Sequence, residues 1–483
     1  MKLSRSVVFS ALITTLVLSA CGGSPPLIRE VPAPEPSIAI IRANLWDGTG
    51  RGPVANAVTL IRGDRILCAG AAGECPVPPR ARIIDANGQW LIPGLIDSHV
   101  HLLFLSAGSA SEELSLDLRN LLAQGVTTVR DMGTNPAELL TRVTALNAAP
   151  RVYAMQLVAG RRFFFNGFHG TRTARGVVFR QPPALTMQAL GWTPIQFNRD
   201  DEADSVVAAA RNAGAMGLKL YAQLDRESVT RLVAAAHRAG MPVWGHGWVQ
   251  PTSALEQALA GQDGLVHAAG FAGELFTAAE RDTLVNDGKL QMATADVATV
   301  GAAHDPRITD ALDSMARLGT FFEPTLDATR HSVAYFNAKR RHIPSEQEEY
   351  VRAASGFGME ITREAVRRGV RISAGSDHVA YGPASERSSL FGELRLLVDS
   401  IALTPTAALL AATRDAARAI GGEPSRRLGT IEAGRYADLV LLSRNPLADI
   451  DNLDSVEWIM KGGRMWRPGQ LRSGIAMRYR PER

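Results

Sequence analysis

Cysteine is scarce in this 483-residue chain, with three residues at positions 21, 68 and 75. So few exclude a disulfide-built scaffold and any four-cysteine metal site. No excess of charge of one sign is present: 52 Lys and Arg face 48 Asp and Glu, for a net charge of +4. No Lys/Arg tract with interleaved aromatics occurs, so no nucleic-acid partner is expected. The apolar run Val7–Leu18 is too short for a comfortable membrane span. What remains, 46% hydrophobic and 21% charged residues, is the composition of a globular enzyme with a sizeable core. Its length suits one large domain and a smaller one.

The N-terminus is the first positive signal. Lys2 and Arg5 precede the apolar run, and Leu18-Ser19-Ala20-Cys21 follows it as a small-residue cleavage site. The segment resembles a bacterial lipobox. That resemblance implies a signal peptide over residues 1–20, a lipid on Cys21, and an outer-membrane lipoprotein facing the periplasm or cell surface rather than the cytoplasm. Gly22 favours the outer membrane, because the pattern reserves inner-membrane retention mainly for Asp there. The lipid would be the chain's sole membrane contact. Residues 21–36, rich in Pro, Gly and Ser, read as a flexible tether. Export would place Cys68 and Cys75 in an oxidising compartment, where a disulfide closing a short loop is open to them; spacing alone does not settle it.

Short strand signals punctuated by Gly, Asn and Asp occur at Ile38–Arg42, Ala57–Arg62, Arg65–Ala69 and Ala81–Asp85. They recur at Ala437–Leu442, Val456–Met460 and Arg464–Trp466. The two ends, residues 37–90 and 428–470, are expected to pair into one small β-sandwich-like satellite domain. Between them, over residues 91–427, apolar strands alternate with alanine-rich helices such as Ala203–Ala213 and Arg226–Ala239. The strands include Thr127–Arg130, Val152–Leu157, Gly217–Leu220, Pro242–Gly245, Gly264–Val266, Thr320–Pro324 and Arg371–Ala374. Such alternation predicts an α/β fold, a (β/α)₈ TIM-type barrel.

The chemistry concentrates at the strand ends. Leu95-Ile96-Asp97-Ser98-His99-Val100-His101 puts two imidazoles on one face of a strand, since residues two apart point the same way. Lys219, His246, His267 and Asp377 each end a different apolar strand. The C-terminal rim, where these residues gather, is where active sites of such barrels sit. Neutral histidines and a carboxylate form a donor set for divalent metal.

These residues, with Gly125 to Gly133 (GVTTVRDMG) and Leu428 to Val440 (LGTIEAGRYADLV), make the chain resemble the amidohydrolase superfamily, in the branch of prolidase-like dipeptidases and imidazolonepropionase-like enzymes. The likeness covers about residues 38–470. It implies that His99, His101 and Asp377 hold one metal ion, that His246 and His267 hold a second, and that Lys219, carboxylated by CO₂, bridges both. A lysine among metal ligands makes sense only as a carbamate, because an ammonium cannot bind a cation. Zinc is the first choice of metal, and manganese also suits such ligands. Water activated between two divalent ions would be nucleophilic at neutral pH, with Asp377 as proton shuttle to the leaving amine.

Tyr221 shares the face of Lys219 and is expected to hold a substrate carboxylate or oxyanion. His169, in Asn166-Gly167-Phe168-His169-Gly170, is a candidate substrate contact. Arg161, Arg162 and Arg172 could attract an anion, with a solvated basic loop as the alternative. The loop Arg161–Asn198, with Phe163, Phe164, Phe165, Phe168, Phe179 and Trp192, reads as a lid over the pocket. Arg130 and Asp131 read as a structural pair near the rim. His378 is expected to face away from the site, and His304, His331 and His342 read as ordinary. The family's His-Gly element after the last ligand is replaced by Ser388-Ser389-Leu390-Phe391-Gly392, which loosens any inference about substrate. The expected function is hydrolysis of an amide or peptide C–N bond in a dipeptide or N-acyl amino acid. The competing readings are a lactonase, carbamate or organophosphate ester hydrolase with the same site, and an inactive binding lipoprotein. The expected partner is a small-molecule substrate, and a homo-oligomer is compatible with the sequence.

Overall fold

The computed structural model describes residues 37–103, 110–160, 169–173, 176–180, 194–286, 294–295, 302–328, 345–379 and 389–473. The signal segment, Cys21 and the tether lie outside the described residues, as do Arg161, Arg162, His331, His342, Ser388 and the aromatics Phe163, Phe164, Phe165, Phe168 and Trp192.

The central sheet is a parallel (β/α)₈ barrel. Its strands, in order, are Leu95–His101, Val126–Asp131, Arg151–Gly160, Gly217–Leu220, Val243–His246, Gly264–Val266, Phe321–Glu323 and an eighth in two pieces, Arg371–Ile372 and His378–Val379. Each pairs in parallel with the next, and the eighth closes the ring: Arg371 lies opposite Phe321, and His378 opposite Val100 of the first strand. These strands are apolar runs rather than alternating ones because both faces are covered. Leu218, Leu220, Val243, Leu265, Val266 and Phe322 are wholly buried.

The helices present apolar stripes to that ring. Arg226–Arg238 buries Val229, Leu232, Val233 and Ala236, at helical spacing, and starts at Asp225, whose side chain accepts from the Ser228 amide at 2.8 Å. Ala254–Leu259 opens with a reciprocal capping box between Ser253 and Glu256.

A second sheet joins the two ends of the described chain. Its order is Arg464–Trp466, Val456–Lys461, Leu439–Leu442, Trp90–Pro93, Ile38–Leu45, Val54–Arg62 and Arg65–Ala71, with Arg82–Asp85 parallel to Ile38–Leu45. Leu439–Leu442 runs antiparallel to Trp90–Pro93, Leu439 opposite Pro93 and Leu442 opposite Trp90. Ile40, Leu45, Ile61, Leu91, Leu439 and Trp458 form its core. Trp90–Pro93 leads through Gly94 straight into the first barrel strand. A Cβ at position 94 would run into the Thr127 side chain, so only glycine allows this junction. The strand bearing His99 and His101 is thereby anchored at its base. Cys68 and Cys75 are bonded, with Cα atoms 5.8 Å apart.

The segment between the third and fourth barrel strands is more regular than a loop reading suggests. His169–Thr173 and Gly176–Arg180 form an antiparallel hairpin, and Ile195–Phe197 pairs in parallel with the third strand. Its Gly- and Arg-rich composition gives no clean period-2 pattern.

Candidate metal centre

The barrel brings six of the singled-out side chains to one end. His99 and His101 end the first strand, Lys219 lies in the fourth, His246 ends the fifth, His267 follows the sixth, and Asp377 sits between the two pieces of the eighth. His99 Nε2 is 3.3 Å and His101 Nε2 3.1 Å from the same oxygen, Asp377 Oδ1. One donor atom from each of the three lies within 4.8 Å of the others. The His99 ring centroid is 5.0 Å from that of His267, which is 4.4 Å from that of His246. Tyr221 meets His246 edge-on at 4.3 Å. Lys219 is 1% exposed, and its Nζ has no hydrogen-bond partner among the described residues.

Backbone strain collects at the same place. His267, Thr325 and Asp377 have φ of 66°, 52° and 53°, in the left-handed region that costs a non-glycine residue about 1–3 kcal/mol each. Thr325 Oγ1 lies 2.8 Å from His267 Nδ1, which fixes the ring's rotation.

The electrostatics fit divalent cations. Burial holds His99, His246 and His267 well below the usual imidazole range, so their lone pairs are free for a metal. Burial lowers the Lys219 amine to about 7, against the pull of Glu323 and Asp377. An amine in that range is a ready nucleophile for CO₂. Burial works to raise Asp377, but His99, His101 and His267 more than offset it and hold the carboxyl below its usual range. Without cations, a buried amine lacking any acceptor beside crowded imidazoles would be a costly arrangement. Nitrogen and carboxylate donors of this kind suit a divalent ion.

Arg130 departs from expectation. It pairs not with Asp131 but with Glu323, 3.1 Å away across the barrel. Asp131 instead accepts from the backbone amides of Leu102, Gly133 and Thr134 at 2.8–3.1 Å. On a strand, neighbours point to opposite faces, so adjacent residues are poor partners. His378 turns to Asp117, 3.1 Å from its Nε2. His304 is exposed and meets Glu364 at 3.4 Å. The backbone of His169 and Arg172 belongs to the hairpin, and their side chains lie outside the described residues.

Two buried carboxylates escaped the sequence reading. Asp97, pushed up to about 6 by burial, accepts from the Ser376 amide at 3.0 Å and from the Ser376 hydroxyl, clamping the residue before Asp377. Glu323, wholly buried, accepts from His99 Nδ1 at 2.9 Å, from Arg130 and from the Ser98 hydroxyl. Both carried the signal that found the others: Asp97 shares the alternating face of His99 and His101, and Glu323 ends an apolar strand.

The segment after Glu323 is held by a third such group. Glu393 is wholly buried and its Oε2 accepts from the Asp327 amide at 2.7 Å. Burial pushes it up from 4.5 to about 8. Between those values the unfolded chain has released a proton that the folded chain keeps, so this group makes stability fall as pH rises through that window. Thermal unfolding from about pH 5 to pH 8 should therefore show a decline in Tm that is shallower in Glu393→Gln. An unchanged slope in the variant would show that Glu393 does not titrate there.

The chain has relatives among known proteins. A model of the amidohydrolase family matches residues 90–465. Imidazolonepropionase of Symbiobacterium thermophilum is 28% identical over 414 residues, 79% of this chain and 82% of that protein. Imidazolonepropionase of Idiomarina loihiensis is 38% identical over only 84 residues, so this chain spans 20% of that relative's length and uses 17% of its own. Among solved structures, a prolidase complexed with N-methylphosphonate-L-proline superposes with a TM-score of 0.67 at 21% identity, over 89% of this chain and 99% of that one.

Proposed function

The chain belongs to the amidohydrolase family, and from that premise we propose that it is a binuclear metal-dependent hydrolase cleaving a C–N bond of a small molecule such as a dipeptide or N-acyl amino acid. Lys219 carries the reading: a buried amine without a hydrogen-bond partner among the described residues, set amid four histidines and an aspartate, is explained by carboxylation and metal binding. His99, His101 and Asp377 would hold one ion, His246 and His267 the other, and carboxylated Lys219 both, with zinc the first choice of metal. When bound, the ions would supply an activated water and an electrophilic partner for the scissile carbonyl.

The remaining work falls to the chain's own groups. Asp377 Oδ1 faces His99 and His101 and Oδ2 lies 4.0 Å from His267 Nδ1; in this reading the carboxylate would take the proton of the attacking water and return it to the departing nitrogen. Tyr221, edge-on to His246, would donate its hydroxyl to the developing oxyanion or to a substrate carboxylate. Its own deprotonation is suppressed by burial, so it remains a donor. His169 is a substrate contact in this reading. The similarity to imidazolonepropionases and to a prolidase supports a C–N bond as the target.

The test is turnover by the full chain, supplied with zinc or manganese and bicarbonate, against dipeptides, N-acyl amino acids, lactones, carbamates and phosphotriesters. Amide turnover supports the assignment. Turnover confined to the esters would keep the site and replace the bond.

Export as a lipoprotein anchored through Cys21 belongs to the same reading, supported by the lipobox-like segment and by the Cys68–Cys75 disulfide. Cys21→Ser should move the protein from the membrane fraction to the soluble fraction; unchanged membrane association would overturn the anchor.

A further inference from the structure

Two charged groups inside the barrel have no part in the scheme above. Arg130 and Glu323 are both 0% exposed. Arg130 donates from Nη2 to Glu323 Oε2 at 3.1 Å, from Nε to the Ser98 carbonyl at 2.7 Å and from Nη1 to the Ala419 carbonyl at 3.3 Å. Its guanidinium carbon lies 3.9 Å from the Trp244 ring centroid. The arginine is thus fixed on all sides, and it fixes one oxygen of Glu323. The other oxygen, Oε1, faces His99 Nδ1 at 2.9 Å. The ring's opposite nitrogen, Nε2, faces Asp377.

A carboxylate can only accept a hydrogen bond, so the His99 proton must sit on Nδ1 and the lone pair on Nε2. The glutamate also has no room to drift: a Cβ at Gly375 would lie 2.5 Å from its carboxyl carbon and 2.6 Å from His99 Cβ. We propose that Glu323 is a positioning residue that sets the tautomer and aim of His99 toward the metal, with Arg130 as its built-in counter-charge. The inference rests on the metal reading of the site and adds a residue to it.

A buried ion pair can also be mere scaffold, and replacing such a pair by uncharged groups is often neutral for stability. Two double variants of the full chain separate the roles. Arg130→Met with Glu323→Gln removes the ion pair but keeps an acceptor oxygen for His99. Arg130→Met with Glu323→Leu removes both. Zinc affinity, measured by competition with a chromogenic chelator, should be about 10–100-fold weaker in the leucine double than in the glutamine double, as outer partners of metal ligands typically give. Metal-free Tm checks that both are folded. Equal zinc affinity in two folded doubles would overturn the proposal. ¹⁵N NMR of histidine-labelled wild type needs no variant: His99 protonated at Nδ1 is the expected tautomer, and protonation at Nε2 would overturn it even if the doubles do not fold. Failure of the metal reading looks different, since wild type would then bind no zinc that His101→Ala abolishes.

Discussion

Lys219→Ala should lose about 10³-fold in turnover and bind fewer than two metal ions per chain, because it deletes the group proposed to hold both. The size follows from losing several kcal/mol of electrostatic stabilisation at the reacting carbonyl. A second consequence distinguishes this lysine from an ordinary ligand. Its amine, lowered to about 7 by burial, is a liability whenever no metal is bound: the unfolded chain binds its proton more tightly than the folded chain does, so the residue destabilises the fold most below pH 7 and progressively less as pH rises above it. Lys219→Met should therefore raise the metal-free Tm at pH 8 while abolishing activity. Activity should return in part when a short carboxylic acid is supplied to Lys219→Ala, filling the vacated space and offering two oxygens. Full metal content and activity in Lys219→Ala would remove the basis for carboxylation.

Asp377→Asn should cost about 10³-fold on amide substrates, within the range of a lost general acid–base group. Asparagine keeps the shape and can still face His99 and His101 through its carbonyl, 3.3 and 3.1 Å away in the native carboxylate, but it cannot carry the proton. Departure of an amine requires that proton; departure of an aryl alcohol from a phosphotriester does not. The loss should accordingly be much smaller on a phosphotriester than on an amide. Parallel rate profiles of the two substrate types in wild type and variant check this, and equal losses on both would show that Asp377 acts only by holding the site together.

Much of the site was legible because barrels impose a simple rule: a polar residue at the C-terminal end of an apolar strand points into the mouth. His99, His101 and His246 follow that rule at their strands' ends, while Lys219 lies one residue inside its strand, His267 one beyond, and Asp377 between the two pieces of the eighth. Glu323 obeys it too, at the end of Phe321–Glu323, but it is not among the residues singled out from the sequence. Its role depends on three partners that lie 193–225 positions away in the chain, Arg130, His99 and Ser98, and such pairings are set by closure of the ring rather than by local pattern. Arg130 was misread for the same reason. The hairpin His169–Arg180 was invisible because its glycines and arginines carry no periodic apolar signal, and its strands pair mainly with each other.

Metal content of the purified full chain, read with ¹³C NMR after exposure to ¹³C-bicarbonate, addresses the central claim most directly. The account predicts two divalent ions per chain and a carbamate resonance that is absent from Lys219→Ala. One ion or none, or no carbamate signal in metal-loaded wild type, would contradict the binuclear carboxylated-lysine centre.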